Sequence, residues 1–341
     1  MKAKLPVGVI GLGRMGQVYG RHLATRVTQA RIVAVADAMQ ERVQTFADEF
    51  DIASWSTDYR DVLADKEIKA VFVISPTSTH REVVIAAAEA GKAIFCEKPV
   101  ALTLADTDAM LAAIEKKGVM FQAGFMRRFD AGYVAAKKQI EAGAVGQPTT
   151  FKSIGRDPFC PDVAYADPHV SGGLILDMAI HDFDLGRWLM GAEVKRVHTE
   201  GGLLACPQLK AVGDIDNAVV NMLFQGGALG NVEVSRNAFY GYDIRTEVLG
   251  TDGCLQIGTY RQTPLLLLNR QGISHDMVPY LMERFGEAYL AQTLDFVERV
   301  LDDRPPAVGG FDARAALEIG LAATQSYAEA RPVDLPLSSG L

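Results

Sequence analysis

The chain has 341 residues, enough for about two domains, and its 49% hydrophobic and 22% charged content is that of an ordinary soluble globular protein. Its 42 acidic against 34 basic side chains give a formal net charge of −8, which weighs against nucleic acid or an anionic membrane as the main partner, because both reward clustered Lys and Arg. No apolar stretch approaches the ~18 residues that a membrane helix requires, so no membrane association is expected. Cys96, Cys160, Cys206 and Cys254 are widely spaced with no CxxC, so no metal spacing or dense disulfide framework is expected and a reduced, cytoplasmic setting is the simpler reading.

The N-terminal "MKAKLPVGVIGLG" reads as a first strand entering a turn rather than a signal peptide. A helix follows over Gln17 to Val27, then a strand "RIVAVAD" and a helical "MQERVQTFADEF". After a less regular stretch around Trp55 come strand "KAVFVIS", helix "HREVVIAAAEAG", strand "KAIFCEKP", helix "TLADTDAMLAAIEKKG" and strand "VMFQAGF". Strands that are apolar throughout, alternating with helices, predict a doubly wound parallel sheet covered on both faces, placed as a first domain over 1–124. From about residue 146 the rhythm changes to strand-like runs separated by Gly, Asn and Asp turns, from "PTTFKSIGR" through "PLLLLN". These predict a large, open, mainly antiparallel sheet in an α+β domain over 125–341, closed by helices near 280–302 and 311–330.

Gly11, Gly13 and Gly16 form a GxGxxG between the first strand and its helix. In that context the first glycine makes the tight turn, the second lets backbone approach a pyrophosphate, and the third lets helix and strand pack closely. The helix N-terminus adds unsatisfied N–H groups and a positive dipole end. Asp37 stands at the end of the second strand, about 20 residues on, where a carboxylate accepts hydrogen bonds from ribose hydroxyls. Ala38 and Met39 follow it and offer no Arg for a 2′-phosphate, so NAD is expected rather than NADP. Glu97, Lys98 and Pro99 fall at the carboxyl edge of the same sheet, and a residue before proline is held extended or precedes a cis bond. His80 is expected at a helix start, in a structural role.

The segment "GGLILDMAIHDFDLGRWLMG" at 172–191 is apolar yet carries Asp177, His181, Asp182 and Asp184. At about 100° per residue, Asp177, His181, Asp184 and Trp188 share an arc of roughly 60°, while Asp182 points elsewhere, toward solvent. Titratable groups on so apolar a helix are either a paired structural feature or the lining of a cleft. A metal site is a weaker alternative, because no second cluster supplies further ligands.

Taken together, GLGRMG, Asp37, "SPTSTH" at 75–80, "EKP" at 97–99 and the D-x-x-x-H-x-x-D spacing of the helix resemble the Gfo/Idh/MocA oxidoreductases over nearly the whole chain. "GFMRRFDAGY" at 124–133 and "YGYDIRTEVLGTDG" at 240–253 resemble its inositol dehydrogenase branch. The resemblance implies an NAD-dependent enzyme with substrate between two domains, and Lys98, Asp177 and His181 as the catalytic set. It implies that Gly11, Leu12, Gly13, Arg14, Met15, Gly16, Asp37, Ser75, Pro76, Thr77, Glu97 and Lys98 border the cofactor, with Tyr280 packing against the nicotinamide. It further implies substrate contacts from Lys98, Arg127, Asp157, Asp177, His181 and Tyr240, no metal, and a homo-oligomer, with a tetramer favoured.

Imidazole suits removal of a hydroxyl proton near neutral pH, an adjacent carboxylate orients it and stabilises its protonated form, and a lysine stabilises developing alkoxide charge. "SIGRDPF" places Gly155 and Asp157 where myo-inositol enzymes of the branch tend to carry His and Asn, so the part of the pocket that reads ring hydroxyls is altered. Oxidation of an inositol ring hydroxyl is thus the leading expectation. An aldose dehydrogenase acting on a pyranose is its nearest rival, and an NAD-dependent glycosidase or a non-catalytic NAD/sugar sensor are rivals of another class.

Overall fold

Strand β1 (Leu5–Ile10) is followed by α1 (Arg14–Thr25), β2 (Ala30–Ala36), α2 (Gln40–Glu49), β3 (Ser54–Ser56) and α3 (Tyr59–Ala64). The series continues with β4 (Ala70–Val73), α4 (Thr77–Glu89), β5 (Ala93–Glu97), α5 (Leu104–Lys117) and β6 (Phe121–Gly124). The computed structural model describes residues 4–259 and 261–337. The six strands are parallel in the order β3-β2-β1-β4-β5-β6. β4 is buried at every position, as a strand covered on both faces requires. The order reverses between β1 and β4, so the loops leaving these two strands flank the crevice where doubly wound sheets take ligands. The short β3 and α3 fill the stretch around Trp55 that the sequence pattern leaves irregular.

Two compact units divide the chain: 1–126 with 287–314, and 127–286 with 315–341. The inclusion of 287–314 in the first unit has a packing cause. Phe296 meets Phe72 and Phe95 edge-on, with ring centroids 5.1 and 5.7 Å apart, and Tyr289 meets Tyr19 edge-on at 5.7 Å. This aromatic cluster covers the sheet beneath α1.

In the second unit α6 (Ala131–Glu141) precedes β7 (Pro148–Arg156), the short helices α7 (Val163–Ala166) and α8 (Pro168–Ser171), and α9 (Ile180–Met190). Then come β8 (Val194–Gly202), β9 (Asn217–Phe224), β10 (Leu229–Ser235), β11 (Asp243–Gly250), β12 (Cys254–Gly258) and a hairpin of β13 (Leu267–Asn269) with β14 (Gly272–Ser274). Helices α10 (Leu281–Leu301) and α11 (Gly310–Glu329) and strand β15 (Val333–Asp334) complete the described chain. The seven-stranded sheet runs β12-β11-β7-β10-β9-β8-β15, antiparallel except for β7 beside β10, so the expected open, mainly antiparallel sheet is present.

Helix α9 lies on this sheet and is buried nearly all round, every residue from Ile180 to Arg187 included. A Cβ on Gly186 would stand 3.4 Å from Phe151 of β7, and Phe183 is fully buried. A helix buried on all sides has no solvated face to carry charge, so each of its acids needs a partner.

Widely spaced cysteines still meet in one place. Cys160 and Cys206 form a disulfide, packed beside Ala166 and Leu209, while Cys96 is buried and reduced and Cys254 is exposed and reduced. A separation of 46 residues conceals the fact that the loop after β7 and the connection from β8 to β9 are neighbours in space. Among the described residues no helix is long and apolar enough to cross a membrane.

Candidate functional site

The glycine turn has the geometry that its pattern predicts. Gly11 has φ +92°, and a Cβ there would strike Ser75 N at 2.4 Å. A Cβ on Gly16 would lie 2.0 Å from the Gly11 carbonyl oxygen. Gly13 differs from both: its missing side chain faces open space, and as N-cap of α1 it leaves the first-turn N–H groups without a side-chain cap. Two glycines therefore close the turn and the third leaves the approach that a pyrophosphate needs. Arg14 and Met15 follow in the first turn of α1. Ser75, Pro76 and Thr77 form the loop that Gly11 touches and the start of α4, with Ser75 Oγ 2.7 Å from Thr79 Oγ1.

Asp37 ends at this turn. Its Oδ2 accepts the Leu12 N–H at 2.7 Å, and its Oδ1 accepts the Met39 N–H at 2.9 Å. A residue that sequence reading overlooks joins it: Arg42 Nη1 lies 3.3 Å from both Asp37 oxygens. Gln17, Met39, Glu41, Arg42 and Thr45 line a groove beside this pair. The signal in the sequence is an Arg five residues beyond Asp37, past Ala38 and Met39. Its guanidinium is engaged by Asp37.

Lys98 follows β5, and the Lys98–Pro99 peptide bond is cis. Glu97 is buried and shapes this turn: its Oε2 accepts the Lys98 N–H at 2.7 Å and its Oε1 accepts the Tyr19 hydroxyl at 2.6 Å. Burial pushes the Glu97 carboxyl above its usual range, against the opposing pull of Lys98 and these hydrogen bonds. Tyr19 in turn accepts from Gln292. His80 is buried, with Nε2 2.8 Å from the Ser75 carbonyl and Nδ1 3.1 Å from the Pro99 carbonyl, and burial lowers its pKa. The expected structural role is visible in that geometry: the imidazole ties the loop after β4 to the loop carrying Lys98.

On the second unit, the helix of the 172–191 segment is not uniformly α. A π-turn spans Ile175–Ala179 and carries Asp177, and α9 begins only at Ile180. A π-turn closes i→i+5, so the uniform 100° spacing across Asp177 and His181 does not hold. Asp177 accepts the Tyr165 hydroxyl at Oδ1 (2.8 Å) and Arg236 Nη2 at Oδ2 (3.2 Å). His181 is 6% exposed, one α-turn region onward.

The expected polar arc splits in two. Asp184 turns away into a buried two-pronged pair with Arg128, Nε–Oδ2 2.8 Å and Nη2–Oδ1 2.6 Å, and Arg128 also lies over the Trp188 ring. Asp182, expected to point toward solvent, is fully buried and accepts from Arg127 Nη1 and from Ser153 Oγ, each at 2.5 Å. The helix accepts so many acids because two of them are matched by consecutive arginines, Arg127 and Arg128, that precede α6. Burial works against the Arg127 charge, but the Asp182 carboxylate outweighs it and raises the pKa.

Two expected substrate contacts have partners of their own within the second unit. Arg127 is 4% exposed and its guanidinium is held by Asp182. The Tyr240 hydroxyl donates to Asp243 at 2.8 Å and accepts from Arg156 Nη1 at 2.9 Å. Arg156 is three residues from Ser153 on β7 and so lies on the opposite sheet face from Asp182.

Asp157, by contrast, leaves the end of β7 on a loop pinned by its own backbone: its N–H donates to Ser235 and its carbonyl accepts from Ala238. Gly155 packs closely on the buried pair: a Cβ there would sit 3.3 Å from Asp182 Oδ2 and 3.9 Å from Arg127 Nη2. Tyr280 packs in the second unit against Phe159 and Tyr242, at 4.7 and 5.5 Å between ring centroids. Among the described residues no group of three or more His, Cys, Asp or Glu side chains is arranged to hold a metal ion.

Residues 5–125 match the model of the oxidoreductase family Gfo/Idh/MocA, NAD-binding Rossmann fold, and residues 137–335 match that family's C-terminal alpha/beta domain. The chain is 41% identical over 335 residues to scyllo-inositol 2-dehydrogenase (NAD(+)) of Bacillus subtilis, covering 98% of this chain and 97% of that one. It is 39% identical to myo-inositol 2-dehydrogenase of Thermotoga maritima, covering 96% and 98% of the two chains. Among solved structures, scyllo-inositol dehydrogenase of Lactobacillus casei with bound NAD(H) and scyllo-inositol superposes with a TM-score of 0.93 at 29% identity, over 97% of this chain and 99% of that one.

Proposed function

Because this chain belongs to the Gfo/Idh/MocA oxidoreductase family, we propose that it is an NAD-dependent inositol dehydrogenase that oxidises one ring hydroxyl of scyllo- or myo-inositol to an inosose. The observation that carries this reading is the 41% identity, over 98% of the chain, to a scyllo-inositol 2-dehydrogenase. The chain also keeps the glycine turn with Asp37, and Lys98, Asp177 and His181.

NAD, when bound, accepts the hydride from the carbinol carbon. The residues of the chain hold the reactants and move the proton. Gly11, Gly13 and Gly16 with the α1 N-terminus receive the pyrophosphate, and Asp37 accepts the ribose hydroxyls. His181 takes the hydroxyl proton, Asp177 holds the imidazole and stabilises its protonated form, and the Lys98 ammonium stabilises negative charge growing on the oxygen. Arg127 supports this arrangement indirectly, by fixing Asp182 next to His181. Tyr280 packs near the nicotinamide in this reading. We place the enzyme in the cytoplasm as a homo-oligomer, with a tetramer favoured. Exposed Val219, Leu229 and Leu249 on three adjoining or near-adjoining strands of the open sheet supply apolar surface for such an assembly.

A second reading, activity on an aldopyranose, is favoured by one feature. Asp157 is acceptor-only when ionised, whereas an Asn there would also donate. A pocket that reads ring hydroxyls there through an acceptor alone takes more than one ring polyol. The expected result is kcat/KM for scyllo-inositol at least equal to that for myo-inositol, with measurable turnover of some aldopyranose. Asp157→Ala should reorder the substrates rather than abolish hydride transfer. Measuring kcat/KM across inositols and aldoses for both proteins tests this; strict activity on myo-inositol, unmoved by Asp157→Ala, would contradict it.

A further inference from the structure

Arg236, immediately after β10, is one of the largest fully buried side chains, at 1% exposure. It pairs with both Asp177 and Asp214. Nη1 donates to Asp214 Oδ2 at 2.7 Å and Nη2 to Asp177 Oδ2 at 3.2 Å. Asp214 is anchored separately, with Oδ1 accepting the Leu174 N–H at 3.1 Å at the very start of the π-turn. The backbone N–H of Arg236 donates to the Asp216 carbonyl at 2.9 Å, and the Asp216 carboxylate accepts three consecutive N–H groups from Leu204, Ala205 and Cys206. The guanidinium is thus rooted in two loops before it reaches Asp177.

One guanidinium bridges two carboxylates, and the shorter bond goes to Asp214. The Tyr165 hydroxyl fixes the other Asp177 oxygen at 2.8 Å, so both oxygens of Asp177 are held in direction. A carboxylate that steadies an imidazole as it gains a proton needs that fixed orientation.

We infer that Arg236 is a positioning residue for the reaction, orienting Asp177 toward the proton-accepting imidazole through a fork shared with Asp214. The inference rests on the proposed catalytic role of Asp177. It requires the planar, two-pronged geometry of arginine, because a lysine ammonium retains the charge but reaches two carboxylates with no fixed fork.

Arg236→Lys is therefore the discriminating variant, with Arg236→Met and Asp177→Asn beside it, all as full-length protein. Thermal melting and the KM for NAD report fold and cofactor binding, while kcat and the isotope effect with carbon-deuterated scyllo-inositol report the hydride step. The expected result for Arg236→Lys is a near-parental melt and KM for NAD, kcat lowered about tenfold, and a larger isotope effect. Arg236→Met should lower kcat further. Should Arg236→Lys turn over within twofold of the parent while Asp177→Asn is inactive, Arg236 only neutralises buried acids and the inference is overturned. Normal turnover by Asp177→Asn overturns both this inference and the catalytic reading beneath it.

Discussion

Lys98→Met and His181→Ala are each expected to lower turnover by about 10²-fold or more, the scale of lost electrostatic or acid–base assistance. The two losses arise differently. Without His181 the hydroxyl proton has no acceptor of matched basicity, and raising the pH restores part of the rate by making solvent a better base. Without Lys98 the charge developing on oxygen is unopposed, and pH gives no such relief. NAD binding should persist in both, because the glycine turn and Asp37 do not depend on either side chain. Steady-state rates with a cofactor titration check this. Near-parental turnover in both variants would make the polar helix a structural feature only.

Asp37→Ser should move cofactor preference from NAD toward NADP, raising kcat/KM for NADP by at least about tenfold and lowering it for NAD. The carboxylate repels a 2′-phosphate, and its loss also removes ribose hydrogen bonds. The structure adds a reason for the gain to be large. Arg42, now 3.3 Å from both Asp37 oxygens, would be released beside the groove with its charge free for phosphate. Asp37→Ser with Arg42→Gln should therefore lose most of the NADP activity that the single variant gains. Equal efficiency with both cofactors in the parent protein would contradict the assignment.

Much of the first unit is legible in the sequence because its signals are local. A strand buried on both faces, such as β4, is apolar throughout, Gly11 is required by its own positive φ, and Gly16 by its approach to the Gly11 carbonyl within one turn. The Lys98–Pro99 dipeptide leaves an extended and a cis geometry open, and the structure takes the cis one. What escapes is set by partners distant in the chain. Asp182 reads as solvated because its matching cation, Arg127, lies 55 residues away, and Asp184 reads as part of a cleft because Arg128 is 56 away. The π-turn at Ile175–Ala179 has no mark in composition, yet it moves Asp177 off the regular spacing. The Cys160–Cys206 bond and the Arg236 fork are likewise products of tertiary contact, invisible to spacing alone. The start of α6 has a local mark, the Asp130 cap that accepts the Gly132 and Tyr133 N–H groups.

The central claim is net oxidation of an inositol ring hydroxyl at the expense of NAD, and one progress curve tests it most directly. Purified protein is incubated with excess NAD and a limiting amount of scyllo-inositol, and absorbance of NADH is followed until it stops changing. With a trap for the ketone to carry the reaction forward, NADH should accumulate in proportion to the inositol supplied, and the same protein with His181→Ala should lag far behind. No NADH accumulating with scyllo- or myo-inositol, whether because the cofactor is regenerated in each cycle or because it is only bound, would contradict the account.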